Sequence, residues 1–160
     1  MLGLTIIAFA TLHVAAPPAS SPPTRESWRF YGGDYTTWSA LDTLSVRRNG
    51  NVSHTRQVVW GQRGPLDAGG RAFDYVIVEV AYDCAAQTSS TVQAHFYARS
   101  GILLWSNAVG SQPRSTENSS PFFHFRDYIC GERAPMADPG GDPSLATMFE
   151  RQRSWLVADR

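Results

Sequence analysis

The side chains of this chain that could do chemistry are few: Cys84 and Cys130, four histidines including His95 and His124, and the carboxylates Asp42, Asp74, Glu79 and Asp83. Cys84, Cys130, His95 and His124 together have the ligand types of a four-coordinate zinc site. Their spacing argues against it, because no C-x-x-C or H-x-x-x-H pair holds two ligands on one local scaffold. Strand alternation also turns His95 away from the core. Haem ligation by one histidine among aromatics has no better support, since aromatic residues at strand spacing serve the core. The expectation is no metal and no cofactor. Nucleophilic catalysis is as poorly supplied. There is no G-x-S-x-G elbow, Ser100-Gly101 falls in a turn, and a thiol nucleophile needs a free cysteine. Asp74 and Glu79 fall on opposite faces of one strand. Glu79 and Asp83 share a face but stand about 13 Å apart along it, too far for a concerted acid–base pair. Gly69-Gly70 and Gly140-Gly141 lack the spacing of a phosphate cradle. No catalytic residue is assigned, and the chain is read as a non-enzyme.

The cysteines have a simpler use. Leu2 to Ala16 is an apolar stretch too short for a membrane span and suited to the core of a secretory signal. Cleavage fits after Ala10, where Ala8-Phe9-Ala10 is small-x-small, or after Ala16, where Pro17 disfavours it. No Arg or Lys precedes the apolar stretch, so an uncleaved N-terminal anchor is the alternative. No cysteine lies near the leader's end, which speaks against lipid attachment. An exported chain with two cysteines most simply closes one disulfide, Cys84 to Cys130. By loop-entropy arithmetic such closure contributes about 4 kcal/mol. The expected location is the periplasm, the cell surface or the medium.

Basic and acidic residues balance at 14 each, so no global field steers the chain toward nucleic acid or anionic lipid. All the basic residues are arginine, and they are scattered. Codon usage in a GC-rich bacterial genome accounts for that, as for the abundant Ala, Gly, Pro and Asp. Asn51-Val52-Ser53 and Asn118-Ser119-Ser120 match the glycosylation acceptor pattern, which matters only in a eukaryotic host.

The elements that must position these residues are mostly strands. Residues 1–16 are the leader and 17–26 (PPASSPPTRE) a Pro/Ser linker. Trp28 to Tyr31, Tyr35 to Ser39, Thr43 to Arg48 and Val52 to Trp60 read as extended, with Asn49-Gly50 as a type I′ hairpin turn. A glycine-rich loop runs from Gly61 to Arg71. Ala72 to Asp83 is the surest strand, with Val76, Val78, Val80, Tyr82 and Cys84 on one face. After a turn at Ala85 to Ser90, Val92, Ala94, Phe96 and Ala98 face the core, and Gln93, His95, Tyr97 and Arg99 face out. Ile102 to Ser106 completes an antiparallel meander. Ser120-Pro121 starts a helix carrying Phe122, Phe125 and Ile129 and ended by Gly131, a lid for the sheet. Residues 132–160 form a flexible tail with a candidate amphipathic helix capped by Asp142 and presenting Leu145, Met148, Phe149, Gln152 and Leu156 or Trp155. The sequence leaves open whether it docks on the domain. Trp38, Tyr35 and Tyr31 are either core or an exposed aromatic patch, and core is the safer assignment.

In order along the chain, Trp28, the run Asp42-Thr43-Leu44-Ser45-Val46-Arg47-Arg48-Asn49-Gly50, Trp60, Tyr82-Asp83-Cys84, Phe96-Tyr97-Ala98-Arg99-Ser100-Gly101 and Cys130-Gly131 resemble the surface-adhesin protein E-like domains, small exported bacterial proteins. The resemblance spans residues 27–131. It implies an α+β fold: a single antiparallel sheet of about six strands covered by a short C-terminal helix tethered by one disulfide, in agreement with the pattern above. It also implies a non-enzymatic envelope or surface protein, some relatives binding host matrix or serum proteins. This chain departs from the pattern in lacking a lipid-attachment cysteine and in continuing to Arg160. The functional expectation is a small exported envelope protein acting by non-catalytic binding, through a sheet face or edge or the loops Gly61 to Arg71 and Gln112 to Ser119. The partner, protein or small molecule, is unspecified; nucleic acid is not expected, and membrane contact only through an uncleaved leader. A periplasmic ligand-carrier or enzyme-inhibitor module is the alternative, and a hydrolase would need clustered ionisable groups that the linear pattern does not supply.

Overall fold

A computed structural model describes residues 26–33, 36–116, 122–131 and 144–158. The leader, the linker up to residue 25, Tyr35, Asn118, the Ser120-Pro121 and Asp142-Pro143 helix starts and Gly140-Gly141 lie outside the described residues, as do the side chains of Tyr31, Phe122, His124, Phe125, Gln152, Trp155 and Leu156. The described residues form ten strands: β1 (Trp28–Gly33), β2 (Thr37–Asp42), β3 (Arg47–Asn49), β4 (Val52–Gly61), β5 (Leu66–Asp67), β6 (Ala72–Phe73), β7 (Tyr75–Asp83), β8 (Thr88–Tyr97), β9 (Leu103–Ala108) and β10 (Arg114–Ser115). Two helices follow, α1 (Phe122–Cys130) and α2 (Leu145–Ala158).

Eight strands form one antiparallel sheet, in the order β1-β2-β4-β7-β8-β10, with β3 also on β4 and β9 also on β8. β2 and β3 share one side of β4, because β7 occupies its other side throughout. β9 and β10 share the outer side of β8 in the same way. The sheet is therefore six positions wide, two of them filled by interrupted strands.

The interruption between β2 and β3 corrects the expected strand over Thr43 to Arg48. Residues Thr43–Ser45 form a 3-10 turn capped by Asp42, whose carboxylate accepts the Leu44 amide at 3.1 Å. Ser45 Oγ donates to the Asp42 carbonyl (2.7 Å) and accepts the Arg56 amide (2.8 Å), filling the ladder gap the turn leaves. A short polar side chain offers the backbone a local alternative to the ladder, and here it wins. The β3–β4 hairpin forms where Asn49-Gly50 signals it, with a different turn. Asn49 opposes Val52, so Gly50 and Asn51 are the central residues, and only Gly50 (φ 58°) has a positive φ. That is the II′ pattern in place of I′. Within the expected loop from Gly61 to Arg71, β5 turns through Asp67–Gly70 and pairs with β6 as a small separate ribbon.

The sheet is covered on both faces, beyond the single lid expected. On one face α1 sets Ile129 against Leu41, Val80 and Tyr82. The ribbon covers the rest of that face, with Phe73, Leu66 and Ala68 over Val59, Val76, Ala94, Phe96 and Trp105. On the other face Leu145, Met148 and Phe149 of α2 pack with Trp28, Ala40, Val58, Trp60, Tyr75 and Ile77. The hydroxyl of Ser144, just ahead of α2, accepts the Thr147 amide at 3.2 Å, the capping role expected of Asp142. Two-sided cover explains why Tyr75, Val76 and Ile77 are buried in succession.

It also corrects two side-chain assignments in β8. Tyr97 was expected to face water; it stacks on Tyr75 (4.9 Å between centroids, 6° between planes) on the α2 face. Val92 was expected in the core and is 44 % exposed. Glu79 opposes Gln93 while Val80 opposes Thr91, so Val92 is the extra residue of a bulge and drops out of the alternation. Ala94 and Phe96 do face inward, as expected.

Candidate functional site

Cys84 and Cys130 are disulfide-bonded, with Cα atoms 5.6 Å apart. Cys84 continues the line of β7, its amide donating to the Asn51 carbonyl at 2.8 Å, and Cys130 ends α1. Two further residues hold the helix end. Arg48 donates from Nε to the Ile129 carbonyl (2.9 Å) and from Nη2 to the Tyr128 carbonyl (2.8 Å). Ser53 Oγ donates to the same Ile129 carbonyl at 3.2 Å. These carbonyls belong to the last turn of a helix, where the Gly131 amide also donates to Tyr128 O at 3.2 Å, and a guanidinium suits them electrostatically. Gly131 follows with φ 82°, and a Cβ there would strike the Arg48 guanidinium. Arg48 and Ser53 escape sequence reading because they lie 81 and 76 residues from Ile129.

The candidate carboxylates are kept apart, and Asp42, Asp74 and Asp83 each hold backbone amides. Asp42, fully buried, accepts from the Ser27 and Leu44 amides and pairs with Arg56. Arg56 also reaches Glu26 (3.5 Å) and lies over the Trp28 ring at 5.7 Å. Asp74 accepts the Arg99 amide at 2.7 Å, and Asp83 accepts the Ala85 and Ala86 amides of the β7–β8 turn. Glu79 lies across from Arg56 and Gln93 in the ladder, four positions short of Asp83. Among the described residues no group of three His, Cys, Asp or Glu side chains could hold a metal. His95 bonds Ser106 Oγ through Nδ1 at 2.8 Å, well away from the disulfide. Trp38 packs on Phe30 and Trp60, so it is core.

Burial pushes the phenols of this core upward. Tyr75 rises to about 12, through loss of hydration first and then the charges of Tyr97, Glu26 and Asp74. Tyr97 and Tyr82 rise for the same first reason, and Tyr82 accepts from Gln57 Nε2 at 2.6 Å on the opposite face.

The two candidate loops are partly tied down. The ribbon sends Phe73 inward and lays Arg71 over Trp105 at 4.0 Å. Thr116 is buried and bonded to the Gln87 carbonyl, while residues 117–119 lie outside the described part.

The edge at β9 is different. Ile102, Leu103 and Leu104 are 64, 51 and 43 % exposed, in a run from Ser100 to Pro113 with no charged residue. Phe96 opposes Trp105 and Tyr97 opposes Leu103, so Leu104 is the extra residue of a second bulge. The Val109 amide donates to Val92 O, and Ala98 donates to Ile102 O, so Val109 and Ile102 face β8. By alternation Leu103, Ser106 and Ala108 aim their amides and carbonyls away from it. Among the described residues no strand pairs with that side. Sheet edges are normally guarded by charge or proline, and β9 has neither. The sequence displays this apolar run and places it last in the meander, but gives no sign of the bulge at Leu104.

No family model matches this chain, and no curated protein matches it significantly.

Proposed function

We propose that this chain is a small exported bacterial envelope protein of the surface-adhesin protein E-like kind, acting by non-catalytic binding, with β9 as its recognition edge. The observation that carries the reading is a strand edge with no charge or proline, unpaired among the described residues, where Ile102, Leu103 and Leu104 are exposed. Such an edge adds a partner's extended segment, the backbone supplying affinity and alternate side chains specificity. The intramolecular disulfide and the absence, among the described residues, of any helix long and apolar enough to cross a membrane are compatible with export. An enzyme-inhibitor role would use the same edge and differ only in the partner. A ligand carrier would need a concave aromatic site, and Trp60 and Tyr75, which could line one, carry Phe149 on them.

The test is selection of the oxidised chain against a random displayed-peptide library. Extended, uncharged peptides should be enriched and should lose binding to the Ala108→Pro variant, whose missing N–H lies on the outer edge. Ligands that bind this variant as well as the parent would sink the β9 reading. Expression of the whole chain in a bacterial host should leave oxidised protein outside the cytosol. Retention there as free thiols would sink export.

A further inference from the structure

We propose that the occupant of the β9 edge is a second copy of this chain, paired antiparallel through β9 about a two-fold axis. The inference rests on the reading of β9 as a recognition edge and names what fills it. A strand edge without charge has nothing with which to attract a charged segment, and any charge brought against Ile102, Leu103 and Leu104 would be stripped of water without compensation. The fitting partner is itself a short, neutral, partly apolar strand whose edge is unpaired, and β9 is such a strand among the described residues. Long-range repulsion does not oppose the encounter, because the acidic and basic residues of each copy cancel to a formal net charge of zero.

Geometry gives the register. An antiparallel pair of identical strands is self-complementary, so each donor on one copy meets the matching acceptor on the other. With Asn107 on the axis, Ser106 of each copy opposes Ala108 of its partner, so two of the three outward-facing residues, Ser106 and Ala108, are paired in both copies. Trp105, stacked on Phe96 and roofed by Arg71, then stands across from the partner's Val109 on the ribbon-covered face. The contact is confined to β9, since β10 already closes the far part of the β8 edge. So short an interface belongs at the small end of the size range, and the dimer forms with a micromolar dissociation constant.

Sedimentation velocity of the oxidised full chain, from about 1 to about 200 µM, tests this. The expected result is a weight-average mass rising with concentration from one chain toward two. Hydrogen exchange at Ser106 and Ala108 should slow over the same range. Asn107→Lys sets like charges from the two copies against each other at the axis while leaving the backbone intact, and Ala108→Pro removes an edge donor. Each should weaken association at least about tenfold. If the proline variant fails to fold, judged by near-ultraviolet circular dichroism, the lysine variant decides. A chain monomeric at every concentration overturns the proposal, and so does a dimer that both folded variants retain. A monomer that still binds displayed peptides through β9 overturns this inference alone and leaves the functional reading standing. Loss of both overturns both.

Discussion

Asp42 is a carboxylate with no solvent exposure, and three groups keep it there: the Arg56 guanidinium and the amides of Ser27 and Leu44. Removing one partner of a buried pair costs more than the pair is worth, because the other charge is left uncompensated. Asp42→Ala should therefore destabilise the domain by about 3 kcal/mol in urea titration, and Asp42→Asn by less, since an amide oxygen still accepts from Leu44. A second residue-scale prediction concerns alkaline pH. Tyr75 titrates near 10 when unfolded and is pushed up to about 12 in the fold. The folded state thus keeps a proton that the unfolded state loses, so its contribution is complete below pH 10 and drains away as pH rises toward about 12. Tyr75→Phe should flatten that decline in the denaturation midpoint. The chain has no lysine to titrate in the same window, so the slope reports the tyrosines. Asp42 stood out in the sequence as a carboxylate, but its task did not, because Arg56 sits on a neighbouring strand and no local spacing announces it.

Among elements, α1 shows how a short helix is held. Its last turn takes charge-assisted hydrogen bonds from Arg48 and a hydroxyl bond from Ser53, and its last residue is covalently fixed. Arg48→Ala should cost about 1–2 kcal/mol in the oxidised protein, read by thermal or urea unfolding. Under reductant the same variant should lose amide protection in α1 before the sheet does, because only the Ser53 hydroxyl bond then holds the helix end. Strands were legible where alternation is unbroken, as in Ala94 and Phe96, and misread at the bulge residue Val92. Val92 and Leu104 each add one residue against their partner strand, which resets every side chain beyond. A strand's own sequence cannot announce that, since a bulge is a property of a pair. Asn49-Gly50 announced a hairpin correctly and its turn type incorrectly, because register, set by Asn49 opposite Val52, decides which residues are central.

At the scale of the whole molecule, the single antiparallel sheet follows from short turns between alternating runs, and the covering of both faces does not. One sign of it was present: Val76-Ile77-Val78 is an unbroken apolar run, which a strand exposed on one face has no reason to carry. The run could not say that α2 supplies the second cover, because the segment 132–143 between the helices has no pattern to fix its path. Met148 is fully buried beneath that cover. Met148→Ala should lower stability by about 2–4 kcal/mol, measured by denaturant unfolding, and more than Glu150→Ala at an exposed position of the same helix.

The bond between Cys84 and Cys130 spans 46 positions of sequence, and β8, β9 and β10 all fall inside that span. They therefore belong to a closed covalent ring. A protease that severs the exposed backbone at Gly110 or Gln112 opens the ring without dividing the molecule, and both cut ends remain attached through sulfur. In surroundings rich in hydrolases and poor in reductant, the outermost strand can be nicked but cannot be shed.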